Sequence, residues 1–173
     1  MAASSIGISI NLKEVALYEL EFLKSVYHDQ FLRIPLVIAN AVYRYEHIWL
    51  PFLKQHSSDE VGDLEYAAPQ DVLWIWHTHM LSPLNYKQNC NQLFQRVFGH
   101  QLNSAELLRQ KRAKTKLLWE TEYPGEPYDV IRTKRVPTRN PKSQIQYDLI
   151  SATKRQELFY YQVMVILVQT ANL

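Results

Sequence analysis

Two observations along this 173-residue chain predict an all-α fold. Apolar residues recur at steps of three or four, and each such stretch opens on residue types that start helices. A third observation, a cluster of prolines between Tyr123 and Ser143, interrupts the pattern. The expected architecture is therefore an irregular multi-helix domain with a Pro-rich extended arm and a C-terminal hydrophobic element.

The first helix is expected over residues 12–28. Asn11 and Glu14 have the spacing of a capping pair, and Leu12, Ala16, Leu20, Leu23 and Tyr27 follow at helical intervals. In "RIPLVIANAVYRYEHIWLPFLKQH" a second stripe runs through Ile38, Val42, Tyr45, Trp49 and Phe52, with Pro35 suited to the first turn. Pro51 lacks a backbone donor and is expected to kink or end that helix near Trp49. "HSSDEVGDLEY" reads as an acidic loop.

Pro69 with Asp71 predicts a helix over 70–81, because proline fits a first turn and an early carboxylate suits the positive end of the dipole. Ser82 before Pro83 opens the next, expected to run through Phe98 and stop at Gly99. Ser104 opens "SAELLRQKRAKTKLLWETEY", with Leu107, Leu108, Leu117, Leu118 and Trp119 as its expected buried positions. From 123 to 143, Pro124, Pro127, Pro137 and Pro141 alternate with Arg132, Lys134, Arg135, Arg139 and Lys142, which reads as a basic linker or an arm lying across the core. "YDLISATKRQELFYYQVMVILV" reads as helix again, although its β-branched tail also suits a strand.

A weak internal echo aligns "LKEVALYELEFLKSV" with "LISATKRQELFYYQV", matching Leu, Phe and Val at one offset. The division this suggests is a helical core at 1–122, the arm at 123–143, and a C-terminal helix at 144–173 that opens a second, incomplete unit. The ending "VMVILVQTANL" is read as a truncated or alternative terminus.

Composition limits the function classes. Hydrophobic residues make up 47% of the chain and charged residues 21%, as expected of a chain that buries a core. Nineteen basic and seventeen acidic side chains leave +2, too little to argue for nucleic acid by net charge. One cysteine, Cys90, excludes an intrachain disulfide and suits a reducing compartment, so a cytoplasmic location is expected. The start "MAASSIGISI" lacks the pattern of a secretory signal. The apolar stretch Phe159 to Val168 is far short of the roughly 20 residues of a membrane span.

Chemistry concentrates in "DVLWIWHTHMLSPLNYKQNC", where Trp74, Trp76, His77, His79, Tyr86 and Cys90 are the candidate ligand-pocket residues. His77, His79 and His100 are the candidate metal ligands, since three imidazoles with an open position suit a divalent transition ion such as zinc. The geometry of the segment decides this. On a strand, His77 and His79 share a face; on a helix they lie about 200° apart and meet different neighbours. The expected helix therefore argues against a shared ion. The competing account makes the histidines core residues, bonded between the tryptophans. Cys90 reads as a small buried side chain beside Tyr86 rather than as a nucleophile. The two tryptophans cannot both face one core, so one is expected at a second interface.

"RYEHIWLPFL", "DVLWIWHTHMLSPLNYKQNC" and "EPY" followed by "YDLISATKRQELFYYQV" resemble the successive signatures of the glycine-rich-domain-containing-protein-like family. The resemblance runs from about Leu12 to Val163, and its WHTH-x-L-S-P-x-x-Y core is specific. It implies no settled biochemical activity; plant members are linked to growth and stress responses, and RNA association has been suggested for some. The chain departs from the family pattern in having only four glycines, and in placing Gly99, not an acidic residue, before His100.

These readings converge on a non-catalytic binding or scaffold domain, its partner another protein or a second copy met through the C-terminal hydrophobic element, with an ion at the histidines as an added expectation. The alternative is a metal-dependent enzyme of hydrolase or oxidase type, using His77, His79 and His100 with Glu46 or Asp71 as base. A minor alternative is RNA association through Arg109, Lys111, Arg112, Lys114, Lys116 and the arm.

Overall fold

The computed structural model describes residues 11–57, 65–99, 103–130 and 143–171, with side chains up to 166. Helix α1 spans Leu12–His28 and begins as expected, with the Asn11 side chain accepting from the Glu14 backbone N–H at 3.3 Å. Its inward side is built from Glu19, Phe22, Leu23, Val26 and Tyr27, whereas Leu12 and Leu20 of the predicted stripe are exposed. Asp29 ends α1 and accepts from Phe31, starting a short 3-10 turn at Gln30–Arg33.

Helix α2 (Pro35–Arg44) opens on its proline as predicted. Pro51 does not end the helix, and the disturbance expected near Trp49 takes another form. A π turn at Tyr45–Trp49 widens the backbone just before the proline, so that Leu50 N–H bonds to Tyr45 O, and the chain continues as α3 (Leu50–His56). One extra residue in the turn absorbs what the proline would otherwise disrupt. Within this double helix Tyr45, Trp49, Leu50, Phe52 and Leu53 are all fully buried.

Helix α4 (Gln70–Met80) matches the predicted range closely. Helix α5 (Pro83–Phe94) is shorter than expected, because Gln95 turns into the left-handed region at φ 59° and closes it four residues before Gly99. Ser82 starts α5 through its carbonyl, which accepts from Tyr86 N–H, while its hydroxyl accepts from Asn85 and caps no backbone group. Helix α6 (Ala105–Glu122) is capped by Ser104 as predicted. Trp119 is buried as expected, but the rest of the inward side differs: Lys111 and Thr115 join it, while Leu107 and Leu117 are exposed. Those three positions share a face at steps of four, and tertiary packing chose that face over the leucines.

Helix α7 (Leu149–Ala171) settles the C-terminal element as a helix, including the β-branched tail. It lies against α4, α2 and α1. The main core stacks Trp49 on Phe52 with rings 5.7 Å apart and sets Trp49 edge-on to Trp76 at 5.5 Å, with Trp119 beside them. A second, smaller core gathers Val26, Leu32, Val37 and Trp74. Among the described residues there is no strand, and no helix is long and apolar enough to cross a membrane.

Both described ends of the Pro-rich stretch are anchored on the core. Arg44, 1% exposed, binds Asp71 at 2.6 Å and donates to the carbonyls of Pro127 and Tyr128 at 2.9 and 2.7 Å. The Tyr128 hydroxyl donates to Ala67 O, and Trp119 Nε1 donates to Glu126 O. At the other end, Glu46 accepts from the Ser143 hydroxyl at 2.7 Å and from the Gln144 backbone at 2.9 Å. The middle of the arm, with Arg132, Lys134, Arg135, Arg139 and Lys142, lies outside the described residues.

Candidate functional site

Helix α4 separates two environments and gives each one tryptophan and one histidine. Trp76 and His79 face the main core. The His79 ring is wholly buried, with Nδ1 2.9 Å from the Tyr45 hydroxyl and Nε2 3.2 Å from Asn89 Nδ2. Because the Asn89 amide donates to Nε2, the ring proton sits on Nδ1. Tyr147 stacks on this ring, and Tyr45 and Tyr86 meet it edge-on. Burial pushes its pKa down to about 4, so the ring is neutral at ordinary pH.

The same network continues to the second candidate pair. Trp76 Nε1 donates to the Tyr86 hydroxyl at 3.0 Å, and that hydroxyl donates to Phe98 O at 2.8 Å. Cys90 lies buried beside Tyr86, and burial raises its thiol to about 11. A thiol held protonated at neutral pH is a poor nucleophile. This face of the motif is thus a satisfied polar network inside an apolar core, the arrangement in which buried polar groups cost least.

On the opposite face, Trp74 belongs to the smaller core and His77 stacks on it at 5.7 Å. The second interface expected for one of the tryptophans is this one. His77 meets Phe22 edge-on and has Nδ1 3.5 Å from a Glu19 carboxylate oxygen. Burial lowers the ring's pKa to about 4 and raises that of Glu19. Both line a cleft of about 370 Å³ between α1, α4 and α7, completed by Leu23, Trp74, Leu81, Gln156, Phe159 and Tyr160. Apolar walls with few polar groups and a volume in this range are typical of ligand sites.

Of the candidate residues, the fold brings Trp76, His79, Tyr86 and Cys90 together in the core and sends Trp74 and His77 to the cleft. His77 and His79 point to opposite sides of α4, and the two nitrogens of His79 are occupied by hydrogen bonds. His100 lies outside the described residues. Among the described residues no three His, Cys, Asp or Glu side chains gather as an ion would require. The two acids named as bases have other work: Asp71 neutralises Arg44, and Glu46 holds Ser143 and Gln144. Neither lines the cleft.

The basic run on α6 is mostly engaged with protein. Arg109 pairs with Glu106, Lys114 with Glu65, and Lys116 with Asp129, while the Lys111 ammonium, buried, donates to Asn103. The sequence reading missed Glu19, Gln156, Phe159 and Tyr160 on the cleft side and Tyr45, Asn89 and Tyr147 on the core side. Two of these left a local trace: Glu19 sits at steps of four with Leu23 and Tyr27, an acid on the inward line of an amphipathic helix, and Tyr45 stands on the apolar stripe from Ile38 to Phe52.

Comparison with known proteins agrees with the motif. The family model described as glycine-rich domain-containing protein-like matches residues 85–172. Glycine-rich domain-containing protein 1 of Arabidopsis thaliana is 35% identical over 170 residues, covering 94% of this chain and 21% of its own length. Glycine-rich domain-containing protein 2 of the same plant is 34% identical over 166 residues, covering 93% and 21%. The chain therefore spans about a fifth of the length of these curated relatives. No solved structure matches it.

Proposed function

This chain belongs to the glycine-rich domain-containing protein-like family, and on that premise we propose that it is a non-catalytic binding or scaffold domain. Trp76 and His79 of its WHTH segment are core architecture, and its working surface is the α1/α4/α7 cleft, which His77 lines, with the outer side of α7. The observation that carries this reading is the exposure of large apolar side chains at the cleft and along α7. Leu81, Phe159 and Leu158 are 52%, 58% and 67% exposed, beside Tyr161 and Ile166 on the same helix. Such a concentration on α7 is what a protein contact uses. The partner we favour is another copy of the chain, and the compartment a reducing, cytoplasmic one, which suits the single cysteine.

Sedimentation equilibrium over rising concentration tests the surface. We expect the chain to self-associate and Leu158→Glu and Phe159→Glu to remain monomeric with unchanged helical circular dichroism. A wild-type chain that stays monomeric throughout rejects the second copy as partner. Elemental analysis tests the non-catalytic part: near-stoichiometric zinc that disappears from a His77→Ala, His79→Ala variant would favour a metal-dependent enzyme instead.

A further inference from the structure

Glu19 is the group that the packing of the cleft leaves without an opposite charge. Its side chain is partly buried at 29% exposure, and the residue beside it, His77, is neutral. Among the described residues no lysine or arginine reaches it, and nothing lowers its pKa against the effect of burial. A carboxylate half-withdrawn from water with no counter-charge is a costly arrangement unless something else supplies the charge.

The fold shows what that something looks like on the other side of Tyr160. There Tyr160 and Trp74 also line a smaller hollow of about 20 Å³, together with Tyr27, Arg33 and Glu157. In it the Arg33 guanidinium sits 5.2 Å over the Tyr27 ring and 3.7 Å from the Glu157 carboxylate. Carboxylate, aromatic ring and cation complete one another at that place. In the cleft the carboxylate of Glu19 and the aromatic side chains Trp74, Phe159 and Tyr160 are present, and among the described residues no cation joins them.

We propose that the α1/α4/α7 cleft binds an organic ammonium group carried on an apolar body, with Glu19 as counter-ion, Phe159 and Tyr160 as aromatic walls, and His77 Nδ1 and Gln156 as hydrogen-bonding neighbours. The proposal rests on the cleft being a binding surface and adds the chemistry of what it takes. Two sources carry this group: a free aryl- or alkylamine, and the lysine side chain of a docking protein.

The test is titration of the full chain with benzylammonium, benzyl alcohol and N-acetyl-lysine methylamide, followed by ¹H–¹⁵N shifts of the Trp74 indole and the backbone around His77. Benzylammonium is expected to bind about tenfold more tightly than the neutral alcohol, as a charge partner plus aromatic contact provides. Glu19→Gln, nearly the same shape, should erase that preference while leaving alcohol binding alone. Should that variant fail to fold, Phe159→Leu serves in its place and should weaken the cation more than the alcohol. Equal binding of cation and alcohol overturns the ammonium class but keeps the cleft as a surface. No shift with any probe overturns the proposal, while the scaffold reading stands or falls with the sedimentation test. Binding of the lysine amide as tight as that of benzylammonium assigns the source to a protein side chain, and much weaker binding assigns it to a small amine.

Discussion

The two faces of α4 carry the same pair of residue types and use them differently. On the core face His79 is fully buried with both nitrogens bonded, and Trp76 donates its indole N–H to the Tyr86 hydroxyl. On the cleft face His77 Nδ1 lies 3.5 Å from Glu19, and Trp74 serves as the wall on which the ring rests. Residue type therefore does not decide whether a histidine is architectural or available; the number of partners the fold supplies does. Substitutions and pH should separate the two faces in a graded way.

The largest effect should come at the core-facing start of α4. Asp71→Ala leaves the buried Arg44 without its carboxylate and is expected to cost about 3–5 kcal/mol in urea unfolding. His79→Ala follows, at about 3 kcal/mol, since it opens a cavity and strips Tyr45 and Asn89 of a buried partner. A cost below that of His77→Ala would reverse the assignment of the two faces. Protonation comes next. Both rings are held near pKa 4 in the fold and titrate near 6.5 when unfolded. Between these values the unfolded chain binds more protons, so their stabilising contribution is full above pH 6.5, declines as pH falls through the window, and levels off below about 4. Between pH 7 and 4.5 the loss from His79 should be on the order of 2 kcal/mol, and a flat unfolding profile across that range would contradict the buried neutral ring.

His77→Ala should cost about 1 kcal/mol, the loss of a stacked ring at the edge of the smaller core. The smallest effect lies away from both faces: Gln95→Gly relieves the left-handed backbone at the end of α5 and should stabilise by about 0.5 kcal/mol, read as a small rise in Tm.

The helical class and the two-sidedness of α4 were legible because both follow from local periodicity. Trp74 and Trp76 had to diverge at about 100° per residue, whatever their partners. The partners themselves were hidden by distance along the chain: Tyr45 and His79 are 34 residues apart, and Glu19 and His77 come from different helices. Hydrophobicity misled on α6, where Leu107 and Leu117 are exposed while the lysine stem of Lys111 is buried and its ammonium reaches Asn103. Asp71 and Glu46 looked like bases because an acid near histidines suits that role. Their actual neighbours, Arg44 for Asp71 and the Ser143 hydroxyl with the Gln144 backbone N–H for Glu46, come from elsewhere in the chain.

The π turn at Tyr45–Trp49 also acts as a phase shifter. Each residue of a regular helix advances the wheel by about 100°, and the inserted one resets the angle between α2 and α3 by about that much. Arg44 can then look toward Asp71 while Phe52 and Leu53 still look into the aromatic core. Deleting one residue from this turn would leave a smoother helix and a worse protein, because every inward side chain on one side of the cut would rotate away from its partners. Through this stretch the number of residues is as much a part of the design as their identity.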